Sequence, residues 1–274
     1  MARGVDTSDG PIGAPRWRVG RFDELDSTNR WALDRAREGA AEGLVVVADH
    51  QTAGRGRLDR TWEAQPGSSL LVSVVLHAAA VGNPVADTRG ADARGADARG
   101  ADARGDGHRA VSAVAVALTR AVQHVAGVAA GIKWPNDVVV ADRKLAGILA
   151  EREGDALVVG VGVNVNWDAF PPELADTATA CNLEAGHPID RDALLDGFLR
   201  ELSAALDDPV ATERAHRDLL VTLGRRVRVS LTRGDPIEGQ AVGLGVLGEL
   251  EVCDDDGKVH AVTTGDVIHL RPAP

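Results

Sequence analysis

The sequence predicts an α+β fold, with strands and helices interleaved over residues 16–221 and a small all-β unit over 222–271. Three observations predict it. Apolar β-branched runs of strand length, LVVVAD (44–49) and SSLLVSVVLH (68–77), are separated by stretches with helical period. From Thr222 the texture changes to short alternating segments divided by Gly or Asp, the pattern of a small barrel or sandwich. Hydrophobic residues make up 44 % of the chain and aromatics only 3 %, so a core of ordinary size is available but must be packed from Ala, Val and Leu.

The elements follow in order. Residues 1–15 are polar and rich in Gly and Pro, and are expected to form a disordered tail. A strand-like pattern starts at Arg16. DSTNRWALDRARE (26–38) is then a helix whose N-cap oxygen comes from Asp26, Ser27 or Thr28. The two buried strands at 44–49 and 68–77 flank a basic, Gly-rich loop at 54–62. Residues 78–108 contain the tandem repeat ADARGADARGADARG (91–105), which has no large apolar side chain. It is expected to be a disordered surface insertion, and its Gly at every fifth position argues against a helix. RAVSAVAVALTRAVQHVAG (109–127) is a long apolar helix that stops near Gly127. Residues 131–153 and 155–167 are successive strands, with Asp142-Arg143 suited to a tight hairpin turn. A Pro-containing loop (168–189) precedes a helix over 189–208 and another over 209–221.

Composition narrows the function. Thirty basic against 41 acidic residues give a net charge of −11, a poor general binder of nucleic acid or anionic membrane. The N-terminus has no apolar signal region, and no run approaches a membrane span, so a cytoplasmic protein is expected. Cys181 and Cys253 are far apart and read as free thiols in a reducing compartment.

Four constellations carry chemistry. In GRGRLDRTW (54–62), glycines let backbone amides approach an anion, and Arg55, Arg57 and Arg60 bind phosphate or carboxylate; read alone, it is equally a solvated basic loop. KWPND (133–137) followed by RKLAG (143–147) places Lys133, Asn136, Asp137 and Lys144 around one hairpin. There a lysine can stabilise charge developing on phosphate, and an aspartate can orient a nucleophile or hold a metal. Each of these residues by itself also fits an ordinary charged turn. GVGVNVNW (160–167) is either a strand approached closely by another group, with Asn164 and Asn166 on a shared face, or a Gly-weakened buried strand. DSTN (26–29) is a helix N-cap or an anion-holding helix start. No P-loop, HExxH or GxSxG is present, and GVGVNV does not open a helix as a dinucleotide fingerprint must.

Taken in order, DSTN, QTAGRGRLDRTW (51–62), KWPNDVVVADRKLAGIL (133–149) and GVGVNVNW resemble the biotin–protein ligase family, over residues 16 to 168. The segment 222–271 looks like the small SH3-like domain these enzymes carry. The resemblance implies a mixed β-sheet flanked by helices, of the class II synthetase-like kind, in a catalytic domain over 16–221. It implies two half-reactions with biotin, ATP and Mg²⁺: biotin is adenylated to biotinyl-5′-AMP, then passed to a lysine of a biotin carboxyl carrier domain. By the same resemblance Ser27, Thr28, Asn29 and Gln51 would meet the biotin head group, and Arg55, Gly56 and Arg57 would form a loop that orders over biotin and the adenylate. Arg60 would meet phosphate, Trp62 would flank the nucleotide, and Lys144 would contact both biotin carboxylate and α-phosphate. Asp137 would position the carrier lysine, Asn136 and Asn164 would face the adenylate, and Gly147 would permit its close approach. The magnesium ligands stay open.

This chain departs from the family pattern at Asp59, where glycine is usual, and at the pentapeptide insertion. The arginines of the loop should repel one another until an anion arrives, so the loop is expected to be mobile without ligand. Because the catalytic pattern begins near residue 16, no DNA-binding domain and no operator binding are expected. The rival readings are a lipoate or octanoate ligase or transferase of the same fold, and a non-catalytic biotin sensor. The arginine loop and the β-rich C-terminus speak against the first, and the presence of Arg57 and Lys144 against the second.

Overall fold

The computed structural model describes residues 16–58, 60–81, 96–231, 234–263 and 265–270, with side chains of 96–104 left aside. The expectations for the N-terminal tail, for Asp59 and for the first part of the repeat lie outside these residues.

A seven-stranded sheet forms from β1 (Arg18–Leu25), β2 (Leu44–Gln51), β3 (Ser69–His77), β4 (Gly131–Lys133), β5 (Asp137–Val140), β6 (Arg143–Glu153) and β7 (Ala156–Asn164), in the order β1-β2-β3-β7-β6-β5-β4. It is mixed: β1 and β2 pair in parallel, and every other neighbouring pair is antiparallel. The period-two alternation of the strands decides which helix each residue meets. Val46, Val75 and Val158 pack on one face against α1 (Thr28–Arg37) through Ala32 and Leu33. Val45, Val72, Val74, Val159 and Val161 point the other way into the main core, beneath α2 (Ala96–Ala126) and α4 (Arg191–Asp207). Ser27 caps α1 through its side chain, and Arg35 and Arg37 in the last turn suit the helix dipole.

Helix α2 begins at Ala96, inside the repeat, and not at 109 as expected. Alanine is the best helix former, and once the buried apolar segment has nucleated a helix, adding residues at its N-terminal end is cheap. Asp106 strengthens this end by pairing with Arg109 at 2.6 Å and with Arg152 of β6 at 3.1 Å. Further differences are small. A short helix α3 (Cys181–Ala185) lies within the expected loop, and the turn after β5 is Ala141-Asp142, one residue early, both with positive φ. Burial pushes the Cys181 thiol up to about 12, so it stays protonated.

Helix α5 (Pro209–Leu219) leads to the C-terminal unit, an antiparallel five-stranded sheet. Its strands are β8 (Arg226–Ser230), β9 (Ile237–Leu244), β10 (Leu250–Cys253), β11 (Val259–Val262) and β12 (Asp266–His269), in the order β11-β10-β9-β8-β12. Two contacts fasten this unit to the larger sheet. The buried Trp134 indole donates to Gly248 O at 2.9 Å, and its backbone N–H donates to Thr222 Oγ1 at 3.0 Å. Asp142, in the β5–β6 turn, binds Arg225 at 2.8 Å and His269 at 2.9 Å. Among the described residues no helix is long and apolar enough to cross a membrane.

His216 of α5 is buried beside the His108 ring of α2, 5.6 Å away edge to face. Burial first, then His108 and Arg217, lower its pKa from 6.5 to about 3. The unfolded chain therefore takes up this proton near pH 6.5 and the folded chain only near pH 3, so stability falls as pH drops through that window. His216→Leu is expected to flatten the loss, which is on the order of a few kcal/mol, in denaturant titrations between pH 7 and 4.

Candidate active site

Along β7 the row of residues facing α1 reads Ala156, Val158, Gly160, Gly162. Ala156 and Val158 lie under α1, and beyond them the side chains vanish. Gly147 of β6 stands directly across from Gly162. Three glycines thus leave bare sheet as the floor of a cavity. Trp62 lies over that floor: a Cβ at Gly162 would stand 2.5 Å from its Cε2. A Cβ at Gly160 would stand 2.1 Å from Asn29 Oδ1.

One wall depends on a β-bulge. Simple alternation would put Lys144 and Gly147, three residues apart, on opposite faces of β6. The register instead runs Asp137↔Gly147, Val138↔Ala146, Val139↔Lys144, so Leu145 is the extra residue. Lys144 thereby shares the cavity face with Asp137 and Gly147, while Leu145 and Ala146 both enter the core. Re-aiming one side chain is what such bulges do. Lys144 Nζ stands 2.7 Å from Asp137 Oδ1 and 5.7 Å from the centre of the Trp62 rings. The first contact is an ion pair without hydrogen-bond alignment. Asp137 Oδ1 and Trp62 Nε1 are both buried with no hydrogen-bond partner among the described residues. Buried polar atoms are rarely left so, and here both belong to side chains that line one cavity.

The far end is polar. The Thr28 backbone N–H and hydroxyl both donate to Gln51 Oε1, at 2.7 and 3.0 Å. Ser73 Oγ, buried, lies 2.6 Å from Asn29 Oδ1 and 2.8 Å from Thr28 Oγ1. Sequence reasoning passed over Ser73 because it sits in an apolar run. Its α1-facing parity with Val75 was the available signal.

The arginine loop closes the cavity as a tight hairpin, with Gly56 N–H donating to Arg60 O at 2.7 Å and Trp62 N–H to Gly54 O at 3.1 Å. Each arginine has a partner. Arg55 pairs with Glu151 at 2.9 Å, Arg57 donates to Asn136 Oδ1 at 3.0 Å, and Arg60 pairs with Asp266 of β12. Local partners therefore offset part of the repulsion among these three arginines. Burial lowers the Arg57 pKa, opposed by Asp266 and Asp137, so its charge acts from a partly dry site.

The cavity lining includes every residue to which the family resemblance gave a role, except Asn164. Asn164 shares the glycine row but is buried, and its Nδ2 donates to Thr179 O at 3.0 Å, tying β7 to the segment before α3. Asn166 is similarly bonded both ways to Ile189. A carbonyl within reach takes each amide nitrogen, so both side chains tie β7 and the residues after it to neighbouring segments. Lys133 lies outside the lining, and its charge acts on His269. Glu151 and Asp266 were not foreseen, since each lies far in sequence from the arginine it meets.

A family model described as the biotin/lipoate A/B protein ligase family matches residues 19–89 and 94–168. The chain belongs to this family. A second model, the biotin protein ligase C-terminal domain, matches residues 222–270. Among curated relatives, the biotin–[acetyl-CoA-carboxylase] ligase of Mycobacterium tuberculosis is 36 % identical over 90 % of this chain and 87 % of its own length. The bifunctional ligase/repressor BirA of Bacillus subtilis is 34 % identical over 65 % of this chain, which spans only 50 % of that relative's length. Among solved structures, the Aquifex aeolicus biotin protein ligase in complex with biotin and ATP superposes with a TM-score of 0.73 and 26 % identity. That match covers 92 % of this chain and 99 % of the other.

Proposed function

We propose that this chain is a biotin–protein ligase, with residues 16–221 as its catalytic unit and 222–271 as an SH3-like appended domain. The observation that carries the reading is the convergence of Arg57, Asp137 and Lys144 on one glycine-floored cavity. That is the arrangement needed to bring two anions together. In support, the Aquifex aeolicus relative is described with biotin and ATP bound.

In the first half-reaction a biotin carboxylate oxygen attacks the α-phosphorus of ATP, a P–O bond forms, and pyrophosphate leaves. Lys144 and Arg57 neutralise the reacting pair, which would otherwise repel. Arg60 meets phosphate, Trp62 and Asn136 flank the nucleotide, and Gly147 lets it lie close to the strand. Ser27, Thr28, Asn29 and Gln51 meet the head group, and Arg55 and Gly56 belong to the covering loop. Magnesium would enter with ATP as the MgATP substrate and would supply Lewis-acid charge to the phosphate oxygens. In the second half-reaction the amine of a lysine on a biotin carboxyl carrier domain attacks the acyl carbon. The C–O bond to AMP breaks, and the amine loses a proton near Asp137.

Incubation with ATP, magnesium and either biotin or lipoate, followed by mass measurement of an added carrier domain, tests this. Biotin adenylation and a biotin-sized mass gain are expected; adenylation of lipoate alone would show the rival activity of the same family. Gly160→Ala is expected to raise the biotin KM about tenfold or more, roughly 1.4 kcal/mol, because the new methyl displaces Asn29. Substrate saturation curves check it, and an unchanged KM would remove Asn29 from the site.

A further inference from the structure

Glu151 stands on the β6 row that continues from Gly147 and Leu149, opposite Val158 under α1. A carboxylate beside a cavity for two anions opposes their binding unless it is neutralised. Here Arg55 neutralises it with two contacts, Nη2 to Oε1 at 2.9 Å and Nη1 to Oε2 at 3.2 Å. The same Oε2 accepts from Asn29 Nδ2 at 2.9 Å, and Leu149 O accepts from that nitrogen at 3.3 Å. Both of these groups can only accept. They fix the Asn29 amide with its nitrogen toward β6 and its oxygen toward Ser73 and Gly160. Arg55 in turn belongs to the loop hairpin, bridged to Thr61, so fastening it constrains Arg57 and Trp62 as well.

We propose that Glu151 is a positioning residue that latches the arginine loop to the polar floor, so that occupancy at Asn29 and order at Arg55, Arg57 and Trp62 reinforce each other. This rests on the ligase reading. A glutamine in its place keeps the shape but adds a donor: it lets Asn29 turn over and weakens the hold on Arg55 from a bidentate ion pair to at most one hydrogen bond onto an uncharged oxygen.

The test compares wild type, Glu151→Gln, Arg55→Ala and the double variant. The readouts are KM for biotin and for ATP in biotinyl-adenylate formation, and chymotryptic cleavage after Leu58 and Trp62 with and without biotin. Glu151→Gln is expected to raise the biotin KM about tenfold, to leave the ATP KM within about twofold, and to lose most of the protection biotin gives the loop. The double variant is expected to be no worse than the poorer single variant, because both substitutions open one latch. Wild-type biotin KM and protection in a folded Glu151→Gln protein would overturn the proposal, as would effects that multiply in the double variant. Should Glu151→Gln fail to fold, the exposed Arg55→Ala variant decides by the same readouts. A wild-type chain that forms no biotinyl adenylate would sink the ligase reading instead. In that event cleavage without ligand still judges the latch: Glu151→Gln must be cut faster than wild type.

Discussion

Lys144→Ala is expected to slow biotinyl-adenylate formation about 10²- to 10³-fold, the usual effect of removing one pre-placed charge partner from a transition state. The ammonium stands over Gly147 and beside Trp62, where the ligase reading brings two negative groups together, and it is the one lysine that the bulge at Leu145 turns into the cavity. Alanine leaves the backbone and bulge in place, so folding should be spared. Asp137 would then lie unpaired beside the reactants and repel them, adding to the loss. Biotin-dependent exchange of labelled pyrophosphate into ATP measures the step. A rate within threefold of wild type would mean that Lys144 does not touch the reacting atoms.

Asp137→Asn is expected to act on the other half-reaction. A carrier lysine arrives protonated at neutral pH and must lose its proton before it can attack. The Asp137 carboxylate lies on the cavity wall, and its Oδ1 has no aligned hydrogen bond, so it can take up that proton, which a neutral amide cannot do. Single-turnover transfer from preformed biotinyl adenylate should slow about 10²-fold, the lower range for proton-transfer catalysis. Adenylation should change by less than tenfold, because Lys144 remains. Equal losses in both half-reactions would instead assign Asp137 to holding Lys144 in place.

Most strands and the cap of α1 were legible because single segments carry their own signals. LVVVAD and SSLLVSVVLH are too short and too β-branched for helices, and Ser27 precedes a helical period. The motif residues Arg57, Asp137, Lys144 and Gly147 were legible as a set through family resemblance. Their common face was not, because spacing alone sets Lys144 against Gly147 and only the bulge reconciles them. Glu151 and Asp266 were hidden for a similar reason. An ion pair to Arg55 or Arg60 closes across 96 or 206 residues, and no local pattern announces it. Asn164 lies outside the cavity lining because the Thr179 carbonyl beside it takes its amide, a contact that strand parity does not announce. In the repeat, a glycine at every fifth position was weighed without the long apolar helix that follows and extends back into it.

The most direct measurement is a crystal structure of this protein with a non-hydrolysable biotinyl-adenylate analogue. The bicyclic head should lie at Ser27, Thr28 and Asn29, and the phosphate-mimicking group should sit within about 3 Å of Lys144 Nζ and the Arg57 guanidinium, above Gly147 and Gly162. An analogue bound elsewhere, or one that leaves Lys144 and Arg57 turned away from its charged centre, would contradict the assignment of this cavity as the place where two anions are joined.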